Sequence, residues 1–175
     1  VVRVGQAIAD ALNARGIPAV HETSLIDLGN YNDAYPRMAG LAEDWLARYP
    51  SIQMVLDVHR DSLETDDGTQ LALRADVDGE ACAKLLLVMG SNGSGLEHPG
   101  WRLNLANAAH LQALSEQRAP GLMRDLLLRA SRYNQHLTPR SMLLEVGTAG
   151  NSLEEALRSA DIFSQVLADC LLGKA

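Results

Sequence analysis

Apolar residues recur at intervals of three and four along several stretches of the chain, which is the spacing of an amphipathic α-helix. These stretches are residues 2–15, residues 33–48, residues near 99–117 and a C-terminal segment that begins after Ser152. Ser152 and Glu155 also have the spacing of a capping box, in which each side chain bonds a backbone N–H at the start of the helix. The pattern therefore predicts a helix at each stretch.

Shorter apolar runs predict β-strands between the helices. The predicted strands cover residues 17–20, 52–58, 70–74, 84–89 and 141–146. The runs that end at His59 and Gly147 are nearly continuous, as in central parallel strands that are covered on both faces. A further helix is predicted after Pro120 and Gly121. The alternation of helices and buried strands indicates an α/β domain with three αβα layers and a central, mostly parallel sheet.

Composition narrows the class of protein. The chain has 175 residues, of which 47% are hydrophobic, and this length fits a single domain over residues 1–175. The formal net charge is -7. An acidic surface repels the phosphates of nucleic acids and anionic lipids, so we expect neither as a main partner. Cys82 and Cys170 are too few for a disulfide framework, and we expect two buried thiols rather than a bridge.

No targeting signal is visible in the sequence. No apolar run is long enough to span a membrane, and no signal peptide is visible. The first residue is Val1 rather than methionine. We therefore expect the chain to be part of a longer protein, with an anchor or targeting segment upstream.

Ionisable residues lie at the ends of three predicted strands, where open parallel sheets bind their ligands. They are His21, His59 and Glu145. A neutral imidazole at His59 could bind zinc, and Asp57 or Asp61 could orient the ring by accepting its other N–H. The alternative is an imidazole that only bonds loop backbone, and the pattern leaves both possibilities open.

Glu145 interrupts an apolar run. Burying a carboxylate is costly unless it is paired or ligates a metal. Burial would also raise its pKa, which suits a general base and acid near neutral pH. The alternative is a glutamate on an edge strand that faces water, and the sequence does not decide between the two.

Other kinds of site lack their motifs. Residues 90–95 form a glycine-rich loop without the Gly-Lys-Ser/Thr ending of a phosphate-binding loop. No Gly-x-Ser-x-Gly sequence occurs, so covalent serine catalysis is disfavoured. His98, His110 and His136 show no metal-ligand spacing among themselves.

Several strings of the sequence resemble the stage II sporulation protein P family. The most specific lies in the C-terminal part, at residues 143–147 (LLEVG) and 150–160 (GNSLEEALRSA). Residues 56–62 (LDVHRDS) resemble the second histidine motif of that family. Shorter similar strings occur at residues 1–5 (VVRVG), 21–25 (HETSL), 95–105 (GLEHPGWRLNL) and 133–135 (YNQ). The resemblance therefore runs from end to end.

The resemblance implies an amidase-like fold and a zinc-dependent N-acetylmuramoyl-L-alanine amidase. Such an enzyme cleaves the bond between the lactyl group of muramic acid and the first L-alanine of the peptidoglycan stem, and an endopeptidase activity is also attributed to the family. By position, His59 matches a zinc ligand and Glu145 the catalytic glutamate. His21 is a further candidate ligand. Arg60 and Asn134 are candidates for binding the carboxylates or amides of the substrate.

The resemblance also implies a cellular process, a location and a partner. The family acts in engulfment during sporulation, outside the cytoplasm at the membrane–cell wall interface, beside a lytic transglycosylase that cleaves glycan strands. Its first strand carries a His-x-His segment with another zinc ligand, which precedes the VVRVG string. We therefore expect the domain described by residues 1–175 to lack that strand.

Two other functions are compatible with the sequence. A degenerate amidase-like domain could bind cell wall or a protein partner without cutting. A cytosolic α/β hydrolase of a small amide is the third possibility. The loops at residues 63–69 and 90–95 could gate a cleft in any of these cases.

Overall fold

A computed structural model describes residues 1–25 and 33–174. The helices in this part of the chain are α1 (Val2–Ala14), α2 (Ala34–Arg48), α3 (Trp101–Arg118) and α4 (Leu153–Leu171). Each lies within two residues of a predicted helix at its start. The capping box at the start of α4 is confirmed, since the Ser152 and Glu155 side chains each bond the other's backbone N–H.

The strands form a central sheet and a separate hairpin. The described strands are β1 (Leu56–Asp61), β2 (Arg74–Val77), β3 (Glu80–Ala83), β4 (Leu85–Gly90), β5 (Leu127–Arg129) and β6 (Met142–Thr148). The central sheet has the order β1-β6-β4-β5, and β2 pairs with β3. The β1–β6 and β4–β5 pairs are parallel, whereas β4 and β6 are antiparallel. The predicted α/β class, with a mostly parallel central sheet flanked by helices, is confirmed.

The two faces of the sheet differ in what covers them. The large core forms where α1, α3 and α4 pack on one face, and it contains residues such as Leu87, Leu144 and Phe163. The opposite face carries a small cluster of Leu86, Val88 and Leu143, with the half-buried Leu127 and Tyr133 against it. The second face is therefore the thinner one, and it is the face on which polar side chains collect.

The prediction of a strand at residues 17–20 was wrong. No strand forms between Gly16 and Leu25. Asn13 on α1 takes the place of a strand partner, because its side-chain amide donates to Ala19 O (2.9 Å) and its Oδ1 accepts from Ala19 N (3.1 Å). A side chain thus satisfies the backbone groups that a neighbouring strand would otherwise have bonded.

The prediction of a helix after Pro120 and Gly121 was also wrong. The segment is extended and runs beside the start of β4, where Leu85 N donates to Leu122 O (3.0 Å) and Arg124 N donates to Leu85 O (2.7 Å). It continues into β5. The pairing with β4 outweighs the local helical preference of the sequence.

The remaining strand predictions need smaller corrections. The strand predicted at residues 52–58 begins at Leu56 and continues through His59 to Asp61. The strand predicted at residues 70–74 begins only at Arg74, as the first half of a hairpin. Its turn holds Asp78 and Gly79 at positive φ, the conformation of a two-residue hairpin turn.

The expectation of two buried thiols is confirmed for Cys82 and was wrong for Cys170, which is half-buried. Both are free thiols. Among the helices that the structure describes, none is long and apolar enough to cross a membrane.

Candidate active site

The candidate site lies where β1 and β6 run side by side. His59 and Glu145 are register partners in this parallel pair. Register partners point to the same face of a sheet, and so do alternate residues of one strand. Asp57 and Asp61 therefore share the face of His59. This is also the face of Leu86, the partner of Glu145 on β4.

His59 is oriented by a carboxylate of its own strand. Its Nε2 donates to Asp57 Oδ1 at 3.0 Å, and 40% of its side chain is exposed. The bond to Asp57 raises the pKa of His59, against the opposing effect of burial. Of the two candidate orienting residues, Asp57 makes this contact. The imidazole is therefore held by a side chain and not by loop backbone, and its Nδ1 has no hydrogen-bond partner in the part of the chain that the structure describes.

Glu145 lies on a central strand, between β1 and β4. The alternative of a glutamate on an edge strand is therefore excluded. Its Oε2 is buried and finds no hydrogen-bond partner among the described residues. Burial raises the pKa of Glu145 to about 7, with further increases from Asp61 and Asp57, while His59 and Arg124 lower it. A carboxyl group with such a pKa can both accept and donate a proton near neutral pH.

Arg124 is a site residue that the sequence did not reveal. Its Nη1 donates to Asp61 Oδ2 at 2.6 Å, and about a quarter of each side chain is exposed, 25% and 23%. The sequence predicted a helix after Gly121, whereas the segment is extended. The pairing of this extended segment with Leu85 brings Arg124 to the site.

A bulge shapes the end of β6. The register between β1 and β6 shifts after His59, so that Asp61 pairs with Thr148. Gly147 lies in this bulge with φ of 71°, and a Cβ there would approach Ala83 Cβ to 2.8 Å. Both observations require glycine at this position.

A polar network fixes the end of β6 to the start of α4. Thr148 N donates to Asn151 Oδ1 at 2.9 Å, and Asn151 Nδ2 donates to Glu155 Oε2 at 2.7 Å. Arg74 on the hairpin closes the network through Glu155 Oε1 at 2.6 Å. The strand that carries Glu145 is thus anchored only three residues beyond it, which keeps the carboxyl group in place.

The other predicted site residues lie at varying distances from this centre. His21 bonds Gln6 Oε1 through Nδ1 (3.2 Å) and lies against Gly5 of α1, and no contact joins it to His59. Arg60 donates to the backbone oxygens of Thr148, at 3.1 Å, and of Ala149. Asn134, with φ of 57°, donates through Nδ2 to Tyr35 O at 2.8 Å. The roles of these residues stay predictions.

The side chains at this centre are of the chemical types that bind zinc. An imidazole oriented by a carboxylate and a buried carboxylate oxygen without a partner are both groups that zinc accepts. Over residues 1–25 and 33–174, however, no group of three His, Cys, Asp or Glu residues is arranged to hold a metal ion. A catalytic zinc usually takes three protein ligands, and the described residues do not bring that number together.

Two cavities in the described part of the chain bear on the location of the site. One of about 70 Å³ adjoins His59 and Arg60 and is also lined by Val1 and Val4 of α1. A groove of about 660 Å³ lies between the end of α2, α3 and residues 137–140, and none of the site residues line it.

The chain is similar to known proteins over nearly all of its length. Residues 1–168 match the family model of stage II sporulation protein P (SpoIIP). Stage II sporulation protein P from Bacillus subtilis (strain 168) is 32% identical over 184 aligned residues, which cover 97% of this chain and 43% of that protein. The chain thus spans less than half the length of this relative.

A solved structure shares the fold. The N-acetylmuramoyl-L-alanine amidase AmiC2 of Nostoc punctiforme superposes with a TM-score of 0.57 and covers 99% of this chain and 81% of its own. At 14% identity, the likeness concerns the fold alone. The family is shown by the match over residues 1–168 and by the identity to the Bacillus relative. The chain belongs to the stage II sporulation protein P family.

Proposed function

We propose that the protein is a peptidoglycan hydrolase, a zinc-dependent N-acetylmuramoyl-L-alanine amidase. The observation that carries the proposal is the pairing of His59 and Glu145 on the adjacent parallel strands β1 and β6 of an amidase-like fold. Both residues belong to strings that resemble the family motifs. The oriented imidazole and the carboxyl group with a pKa of about 7 are the two groups that metal-assisted hydrolysis requires.

His59 would hold the metal, with Asp57 fixing the ring. A bound zinc supplies a Lewis acid that polarises the scissile carbonyl and acidifies water. Asp57 accepts a hydrogen bond from Nε2–H of His59, which leaves Nδ1 as the nitrogen with a free lone pair. Another ligand is assigned by family resemblance to the upstream His-x-His segment, and His21 is a further candidate.

Glu145 handles the protons of the reaction. As a carboxylate it takes a proton from the attacking water, and it returns that proton to the nitrogen of the departing L-alanine. A pKa raised by burial suits both steps, because the group changes charge near neutral pH. Arg60 and Asn134 are proposed to bind polar groups of the substrate outside the reacting amide.

The proposal includes the setting implied by the family. The longer protein would be anchored in the membrane and act on peptidoglycan outside the cytoplasm during engulfment, together with a lytic transglycosylase. An additional endopeptidase activity on peptide cross-links is part of the same proposal.

Digestion of purified peptidoglycan tests the activity. The full-length protein loaded with zinc is expected to release new L-alanine amino termini and muramic acid with a free lactyl carboxyl group. If only amino termini of cross-link residues are released, the activity is that of an endopeptidase and not of an amidase. Release of neither product would refute the proposed hydrolysis.

One observation favours a second function, a cell-wall or protein-binding domain without catalysis. The part of the chain that the structure describes does not bring together three metal-binding side chains. Zinc titration of the full-length protein separates the two functions. Stoichiometric binding that is lost in His59→Ala supports the enzyme, whereas binding of peptidoglycan without zinc uptake supports the non-catalytic domain.

A further inference from the structure

The side chain of Arg124 reaches across the strand that carries Glu145. Its backbone is held beside β4, where Arg124 N donates to Leu85 O. Its guanidinium meets Asp61 at the end of β1. Because β6 lies between β4 and β1, the side chain must pass over the carboxyl end of β6. The positive charge is therefore placed directly beside the proposed reaction centre.

The guanidinium of Arg124 has N–H donors that bond no described residue. Arginine carries five N–H donors in a planar fork, and Nη1 uses one of them on Asp61 Oδ2. Its other N–H groups have no partner among residues 1–25 and 33–174. With 25% of the side chain exposed, the guanidinium is accessible to a ligand. A planar fork of this kind recognises carboxylates more specifically than a lysine does.

The location of Arg124 bears on substrate binding because this chain is acidic. With a net charge of -7, the surface repels an anionic substrate at long range. Asp57, Asp61 and Glu145 add local negative charge on the site face. Arg124 places a positive charge beside this group. Arg129 lies on the same face of the sheet, since its strand neighbour Leu127 pairs with Val88.

We propose that Arg124 is the specificity-determining residue that binds a carboxylate of the substrate close to the scissile bond, with Asp61 positioning its guanidinium. This inference rests on the proposed amidase function. The carboxyl group of the muramic acid is consumed in the scissile amide, so the carboxylate must come from the peptide side. The nearest one belongs to the second residue of the stem.

Equilibrium binding of two soluble muramyl peptides tests the inference. The peptides differ in one group, a free carboxylate or a carboxamide on the second stem residue, and the protein is the full-length chain with zinc. The parent is expected to bind the carboxylate form roughly 10- to 100-fold more tightly, as for a charge-assisted hydrogen bond. Arg124→Gln is expected to abolish this preference, and Arg124→Lys to retain part of it.

Arg118→Gln is the matched control. Arg118 is also an arginine in contacts with neighbours, Gln165 and Asp169, but it lies on α3 in the helical layer. The control is expected to keep the full preference for the carboxylate. Thermal unfolding of each variant shows whether it is folded, and Arg124→Lys keeps the test valid if Arg124→Gln is not.

Binding and hydrolysis are measured separately, so that the two proposals can fail independently. The inference about Arg124 is overturned if the parent shows no preference, binds neither peptide, or if Arg124→Gln keeps the preference. A parent that prefers the carboxylate through Arg124 but hydrolyses neither peptide would refute the amidase and leave the carboxylate site established.

Discussion

At the scale of single residues, Glu145 is the position where stability and function conflict. A half-buried carboxyl group with an unpartnered oxygen destabilises the strand that holds it. Natural proteins retain such groups at functional sites. The loss of stability that Glu145 causes can be measured without knowing the substrate, because it is a property of the folded protein.

Replacing Glu145 should therefore stabilise the metal-free protein. The pKa of Glu145 is raised to about 7, so the folded state holds its proton when the unfolded state has lost it, and the carboxyl group costs stability above its ordinary pKa of 4.5. We expect Glu145→Gln to raise the free energy of unfolding at pH 8 by about 1 kcal/mol, and by less near pH 4. Urea titrations measure this. The exposed Glu97→Gln is the control, and an unstable Glu145→Gln at pH 8 would show that the carboxylate is instead well satisfied.

Asp57 should matter for metal binding without being a ligand. It accepts the N–H of His59, and removal of such an orienting carboxylate typically costs 10- to 100-fold in metal affinity. We expect a loss of roughly that size in Asp57→Asn, measured by competition with a zinc chelator on the full-length protein. Asp161→Asn on the exposed side of α4 is the control. Equal zinc affinity in Asp57→Asn and the parent would argue against His59 as a ligand.

Some site residues could be predicted from the sequence and one could not. His59 and Glu145 stand out because each follows or interrupts an apolar run, and the family-like strings strengthened both. Whether Asp57 or Asp61 orients His59 required the observed contacts. Arg124 carries no local signal, since a helix was predicted where the chain is extended.

At the scale of elements, the first turn of α4 joins three parts of the fold. Glu155 completes the capping box, accepts a hydrogen bond from Asn151 and pairs with Arg74 of the hairpin. The bond to Arg74 is the largest of the effects that lower the pKa of Glu155. The residue therefore contributes stability in its charged form.

The contribution of Glu155 should disappear in acid. A lowered pKa in the folded state means that the stability is present above the ordinary pKa of 4.5 and is lost as the pH falls through the lowered value. We expect Glu155→Gln to cost about 1 kcal/mol at pH 7, since half of Arg74 is exposed and the ion pair is screened. Its unfolding curve should approach that of the parent below pH 4. Glu154→Gln, one residue earlier and outside the box, should change little at either pH, and an equal effect there would assign the stability to the helix dipole instead.

Elements were predictable where local rules decide them. The helices α1 and α4 bury one apolar face, and α4 also has a capping box. The starts of all four helices were predicted to within two residues. The two segments that were wrong are decided by distant partners. Asn13 satisfies the backbone at Ala19, and Leu85 pairs with the segment around Arg124. Neither contact can be read from nearby sequence.

At the scale of the whole molecule, the fold separates stability from chemistry. The helices α1, α3 and α4 bury the large core on one face of the sheet. Among the described residues, the other face has only a small apolar cluster. This face holds the four residues of the proposed centre, namely Asp57, His59, Glu145 and Arg124, apart from the large core.

The most direct test of the account is the rate at which zinc-loaded full-length Glu145→Gln digests purified peptidoglycan, compared with the parent. Loss of a general base and acid typically lowers the rate about 10²- to 10⁴-fold, and we expect a loss in this range with zinc content unchanged. New L-alanine amino termini, counted over time, give the rate. If Glu145→Gln releases them as fast as the parent, Glu145 does not handle the proton and the proposed centre is wrong.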